Sequence, residues 1–271
     1  MAYPIYKNTA WFPPDQVNVS IQDIGFLRGF GIFDFFRIMD GKPIFLSDHL
    51  DRLLASAQKM GIVHNYTKDH LANLILELAS KSVDKCLGVK MILTAGDSPN
   101  GFDVGSIANL YILPTVFSFL DPESGMKLMS LEYQREMADI KSLNYAFALR
   151  NWSEVKAKGF DDVIYYHNTF GVSESSRSNL FFVKNGIFYT PKSHILEGIT
   201  RKHVIKLIQS NYSLELGDFS LEAFKDADEV FTTGSTKRVL PITQIDDQLI
   251  HSGKRGPYTQ EIYELLLNSE S

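Results

Sequence analysis

Apolar and polar positions alternate along "VNVSIQD" and again through "GIFDFFRIMDGKPIF", so the chain from Val17 to Phe45 reads as extended. The "MDGK" between two apolar runs predicts a hairpin with Asp40-Gly41 at its tip. The period then changes. Ser47 reads as an N-cap, and Leu50, Leu53, Leu54, Ala57 and Met60 follow at helical spacing. A second helix begins at Thr67, with Leu71, Leu74, Ile75 and Leu78 on its stripe, and "GVKMILTAG" and "ANLYILPTVFSF" are apolar strands. Two helices flanked by strands predict a small α+β domain over residues 1–118.

"LDPESG" gathers proline, glycine and charge, which predicts an interdomain linker at 119–127 and a larger domain over 128–271. In that domain "MKLMSLEY" reads as a strand and Tyr145–Lys158 as a helix, with Leu149, Trp152 and Val155 on one side. "DDVIYYH", "NLFFVKNGIFYTP" and "DEVFTTG" are further strands, the middle one a hairpin turning at Asn185-Gly186. A helix from about Thr200 carries Val204, Ile205 and Ile208, and a last helix begins near Tyr258.

Composition narrows the class without choosing a function. The chain has 271 residues, 44% of them hydrophobic, and a net charge of −5. No stretch concentrates Lys and Arg, so no nucleic-acid partner is expected. No apolar run approaches the ~20 residues of a membrane span. "MAYPIYKNTAWF" lacks a basic segment followed by an apolar one, so no signal peptide is expected. The single Cys86 rules out a disulfide framework and makes the cytoplasm the simplest location. His49, His64, His70, His167, His194, His203 and His251 never stand at metal-ligand spacing, and no metal is expected.

Four places carry candidate chemistry. Lys141, in "DIKSLNYAFALRN", stands at the apparent start of a helix with little charge on the residues that follow. On spacing alone a solvated lysine is the plainer reading; a partly desolvated one at a helix N-terminus has a lowered pKa and attacks carbonyls. Glu174, among Ser173, Ser175, Ser176 and Ser178, is either an ordinary loop acid or a partner for a flat heterocycle. Gly198 opens a helix whose Ile199 and Thr200 amides suit an anion, unless the glycine is merely a turn. "FTTGSTK" is a second anion loop, with Ser235 and Thr236 at its tip. Arg52 either pairs with Asp48 one turn back or reaches a phosphate with its guanidinium fork.

Together, "GIFDFFRIMDG", "HLDRLLASA", "DIKSLNYAFALRN", "GVSESSRSNLFFV", "ILEGITR" and "DEVFTTGSTKRVLPITQID" resemble, in order and over nearly the whole chain, the class IV (fold-type IV) pyridoxal-phosphate aminotransferase family. That family includes D-amino-acid aminotransferases, branched-chain aminotransferases and 4-amino-4-deoxychorismate lyases. The resemblance implies a two-domain α+β enzyme with a smaller N-terminal domain and a larger domain built on a β-barrel-like core. It implies a transaminase in which Lys141 forms the Schiff base with pyridoxal 5'-phosphate and moves the substrate proton. Glu174 would pair with the ring nitrogen, and Arg52, Ile199, Thr200, Ser235 and Thr236 would hold the phosphate. A homodimer with its active site at the subunit interface is implied as well.

The substrate is less defined. D-amino-acid aminotransferases trap the carboxylate with a tyrosine and an arginine, where this chain has Phe33 and, in "TAG", Ala95. Branched-chain enzymes carry a tyrosine where Arg28 stands and an arginine where Lys90 stands. Arg28, Lys90, Arg177 and Lys237 are the candidate carboxylate cations, and Phe33 and Phe35 candidate pocket walls. The reading is transfer from a D-amino acid to a 2-oxo acid such as 2-oxoglutarate, with Arg28 as the replacement carboxylate donor. The alternatives are a branched-chain L-amino-acid aminotransferase, a 4-amino-4-deoxychorismate lyase, and a degenerate cofactor-binding homologue without catalysis.

Overall fold

The computed structural model describes residues 3–270, and the chain folds into two compact units. The first runs as far as Ser118 and takes in Ile140–Asn144; the second holds Phe119–Asp139 and everything from Tyr145 onward.

In the first unit β1 (Ile5–Lys7) and β2 (Ala10–Phe12) precede a short helix, α1 (Ile24–Arg28). This corrects the strand reading of "VNVSIQD". Val19 and Ile21 are 50% and 77% exposed, because no strand pairs with them and alternation alone cannot hold an isolated strand. Asp23 instead caps α1 by accepting from the Gly25 N–H, at 2.7 Å. β3 (Gly31–Met39) turns through Asp40 and Gly41, with φ of 46° and 77°, into β4 (Lys42–Pro43), the hairpin that Asp-Gly predicts. Ser47 is not the cap of α2 (Leu46–Met60): Phe45 holds that position with φ 53°, and the Ser47 hydroxyl accepts from the Lys68 ammonium at 2.8 Å. Thr67 does cap α3 (Lys68–Ser80), through the His70 N–H.

β5 (Cys86–Thr94) and β6 (Asn109–Val116) complete a sheet ordered β2-β1-β6-β5-β3-β4. Alternation sends Ile32, Phe36 and Ile38 of β3, with Val89 and Met91 of β5, into a core shared with Leu50, Leu53, Leu71 and Ile75. Burying each such side chain stabilises the unit by about 1.5–3 kcal/mol. Phe33 and Phe35 point from the opposite face, where Ile92 and Lys90 lie directly across on β5. β4 covers only the far end of β3, so the edge at Gly31–Phe33 is open to another segment. Ile140–Asn144 takes it: Phe33 N–H donates to the Lys141 carbonyl and Leu143 N–H to the Gly31 carbonyl, both at 2.9 Å. Gly31 admits that segment, since a Cβ there would stand 2.8 Å from Leu143 Cδ1.

The second unit is a sheet ordered β12-β11-β10-β13-β14-β7-β8-β9, with β15 beside β14; both sheets are curled into half-barrels. Its elements are β7 (Met126–Glu132), α4 (Ala146–Ala157), β8 (Asp162–His167), β9 (Gly171–Ser175), β10 (Asn179–Lys184), β11 (Ile187–Pro191), α5 (Ile199–Asn211), β12 (Leu214–Gly217), α6 (Leu221–Lys225), β13 (Glu229–Gly234), β14 (Arg238–Ile245), β15 (Gln248–Leu249) and α7 (Pro257–Glu270). Asn185 and Gly186, at φ 51° and 77°, make the predicted β10–β11 turn. Leu180, Phe182, Phe224, Val230 and Leu240 centre its core.

The apolar side expected of α4 is narrower than its sequence suggests. Val155 packs with Met129, Val163 and Tyr165, whereas Leu149 is 71% exposed. Residues three apart drift by about 60° per step, so Leu149 lies about 120° around the helix from Val155. Trp152, between them, is half-buried beneath the Arg177 guanidinium.

Candidate functional site

Lys141 does not open the helix expected there. α4 begins only at Ala146, and Lys141 lies in chain pinned to β3 through its own carbonyl and the Leu143 amide, the bonds on either side of Ser142. A helix dipole therefore has no part in its seat. Its ammonium stands 4.5 Å from the centroid of the Phe33 ring, and the Lys90 ammonium stands 5.6 Å from the same ring. Two amines thus flank one aromatic side chain, one on a backbone fixed by strand pairing and the other on β5.

Behind β3, on its α2 side, Asp34 is buried and collects donors. Its Oδ1 accepts from Phe35 N–H, His49 Nδ1–H and Arg52 Nη2–H, and its Oδ2 accepts from Arg52 Nε–H at 2.8 Å. Helical spacing predicts Asp48 as the partner of Arg52; the fork also closes on Asp34, across helix and strand. Burial alone would raise the Asp34 pKa, but Arg52 and His49 outweigh it and hold the carboxyl below the usual range. Burial pushes His49 down, against the pull of Asp34 and with help from Arg52 and Lys141, so His49 is neutral and donates through Nδ1. Arg28 ends α1, exposed, with Nε donating to the Gly101 carbonyl at 3.2 Å. Ala95 is 1% exposed, and neither it nor Phe33 offers a hydrogen-bonding side chain.

In the second unit Glu174 sits on β9 rather than in a loop, and is buried. Its Oε1 accepts from Arg135 Nε and Nη2 at 3.1 and 3.0 Å, and its Oε2 from the Leu196 N–H at 3.1 Å. Arg135 is a functional candidate that sequence reasoning misses. In "EYQREMADIK" it is one charge among several, and no spacing rule singles it out. Burial, and then Asp162, raise the pKa of the Tyr165 hydroxyl, which therefore remains protonated beside these groups.

Gly198 precedes α5 in extended conformation, and no side chain caps the helix, so the amides of Ile199 and Thr200 belong to an open N-terminus. A Cβ on Gly198 would lie 2.1 Å from Asn179 Oδ1; the Asn179 amide donates to the Leu196 carbonyl and fixes this approach. Thr233, paired with Asn179 and so on its face of the sheet, has a buried hydroxyl with no hydrogen-bond partner among the described residues. Beyond it Ser235 and Thr236 form the tip of the β13–β14 turn.

Arg177 is exposed and stacks on Trp152. Lys237, expected on the same footing as Arg177, is buried and bonded to Asp162 Oδ2 at 3.2 Å and Ser178 Oγ at 3.0 Å. Its ammonium is already committed, which removes it from the set of cations displayed to a substrate. Burial lowers its pKa, Asp162 opposes that, and Arg177 adds to it.

A family profile described as amino-transferase class IV matches residues 31–245. D-alanine aminotransferase of Staphylococcus haemolyticus is 29% identical over 96% of this chain and 95% of its own length. D-alanine aminotransferase of Bacillus licheniformis is 30% identical, over 93% of this chain and 91% of its own. A branched-chain aminotransferase from Thermoproteus uzoniensis, solved with norvaline, superposes with a TM-score of 0.91 at 26% identity, covering 99% of this chain and 94% of that one.

Proposed function

The chain belongs to the class IV aminotransferases, and from that premise we propose that it transfers an amino group from a D-amino acid to a 2-oxo acid such as 2-oxoglutarate. Enzymes of this class depend on pyridoxal 5'-phosphate. The groups present fit that cofactor. Lys141 is a positioned amine, Glu174 a buried carboxylate for a pyridine nitrogen, and Arg52 a guanidinium. The open N-terminus of α5 and the unpartnered Thr233 hydroxyl suit a phosphate, with the Ser235–Thr236 turn nearby in sequence. When bound, the cofactor supplies an electron sink for charge that develops at the substrate Cα.

The protein's own share follows from its side chains. Lys141 Nζ takes the Cα proton and returns it on the far side of the transfer, which requires the fixed backbone that strand pairing gives it. Glu174, oriented by two Arg135 donors and the Leu196 amide, holds a proton on the pyridine nitrogen. Lys90 receives the substrate α-carboxylate. The observation that carries the reading is the pair of ammoniums flanking Phe33: one supplies the base, the other the anion contact. A homodimer belongs to the same proposal, as does a cytoplasmic location.

The D-specific donor rests on the D-alanine aminotransferases that match across nearly the whole chain. A second reading, a branched-chain L-amino acid donor, is favoured by Phe33, Phe35 and Ile92 sharing the face of Lys90, an apolar seat for an aliphatic side chain. The holoenzyme, given single amino acids without a keto acid, distinguishes them by loss of its visible absorbance. Bleaching by D-alanine or D-glutamate is expected. Bleaching by L-leucine alone transfers the assignment to the second reading, and no bleaching by any of the three overturns transamination of these classes.

A further inference from the structure

The buried Lys237–Asp162 pair has no part in the transfer as described, yet it sits at the base of the Ser235–Thr236 turn. That turn is closed by Lys237 N–H donating to the Gly234 carbonyl at 3.0 Å, which leaves the Ser235 and Thr236 amides outside the closing bond. The next residue, Arg238, continues with φ 57°, so the backbone on this side has little freedom to relax. The Lys237 side chain then runs inward to Asp162 and Ser178. Asp162 is held in turn: Val163 N–H donates to its Oδ1 at 2.9 Å, and the Ser176 hydroxyl donates to the same oxygen. Gly234 lies against Ser178, where a Cβ would stand 3.2 Å from its Oγ. The turn is therefore fastened at both of its ends to the Ser176–Ser178 segment that follows Glu174 on β9.

We infer that Lys237 and Asp162 are positioning residues for phosphate recognition: their buried ion pair fixes the Ser235–Thr236 turn in the geometry that receives the cofactor's phosphate. This rests on the proposed dependence on pyridoxal phosphate. An ion pair with 7% and 0% side-chain exposure is poorly explained by stability alone, since desolvation offsets much of its attraction and a well-packed apolar pair does as well. What such a pair does provide is one fixed geometry.

The test replaces both charges at once, in Lys237→Met/Asp162→Asn, so that neither partner is left buried and uncompensated. Asp162→Asn alone serves as a second variant. Cofactor is removed from each purified holoenzyme, folding is checked by near-ultraviolet circular dichroism, and the protein is titrated with pyridoxal phosphate and with pyridoxal, which lacks the phosphate. The double variant is expected to lose roughly ten- to hundredfold in affinity for pyridoxal phosphate, the scale of one charge-assisted contact. Its affinity for pyridoxal should remain within about twofold, because the ring contacts are untouched. Equal weakening of both ligands would show a merely structural pair, and an unchanged ratio of the two affinities would overturn the inference. If the wild-type protein binds neither ligand, it is the cofactor reading that fails.

Discussion

Lys90 and Arg28 differ in what holds their charges. Lys90 stands over the ring that Lys141 also faces, whereas Arg28 donates to the Gly101 carbonyl at the end of α1. Lys90→Ala should raise the KM for 2-oxoglutarate roughly tenfold or more with a smaller change in kcat, as loss of a charge-assisted contact predicts. Arg28→Ala should move it by less than about twofold; the reverse pattern would return the carboxylate to Arg28. His49 carries a pH dependence of its own. Its pKa is lowered in the folded state from an ordinary 6.5, so the unfolded chain binds the extra proton and stability falls as pH drops below 6.5. Asp34, also lowered, adds its loss only below about 3.8. Urea midpoints of His49→Gln between pH 7.5 and 4.5 should vary less than those of the parent protein, and identical slopes would refute the assignment. Asp34 also marks a limit of sequence reading. In "IFDFF" it is one polar residue of an apolar strand; helical spacing offers only Asp48 to Arg52, and no local rule reaches from helix to strand.

At the scale of elements, turn chemistry is the most legible feature. Asp40-Gly41 and Asn185-Gly186 declare their hairpins because the positive φ they need is a property of those residues themselves. Val17–Ile21 misleads because alternation describes a strand only if a neighbour exists to pair with it, and pairing begins only with the bridge from Asp23 to Asp97. β1, β2 and β12, of three, three and four residues, are too short to establish a period at all. The start of α7 is legible near Tyr258, but what fixes it there is hidden. Glu229, on β13, is buried and accepts from the Tyr258 and Thr259 amides at 3.0 and 2.8 Å and from the Thr259 hydroxyl at 2.7 Å. It caps the helix from a different element. Glu229→Ala leaves the buried Thr259 donors without a partner and should cost about 2 kcal/mol, lowering Tm by roughly 4 °C or more. Calorimetry that finds no shift would remove Glu229 from this role.

Across the whole molecule, nothing in composition marks Ile140–Asn144 as belonging with the first unit, since its flanks on both sides belong to the second. The candidate lysine is legible from its motif, yet its surroundings are not, because they depend on pairing Ile32 with Ser142, 110 positions away. Contacts of that range are slow to form and leave no periodic trace. They also bear on ancestry. A gene fragment ending at Ser118 encodes every strand of the first sheet but not the amine that its open edge receives. Recombination within the interdomain stretch would join the seat from one parent to the lysine of another. Parents that differ in the Ile32–Ser142 pairing would join an edge to a segment that does not fit it, so the register of this short insertion limits which halves can be exchanged.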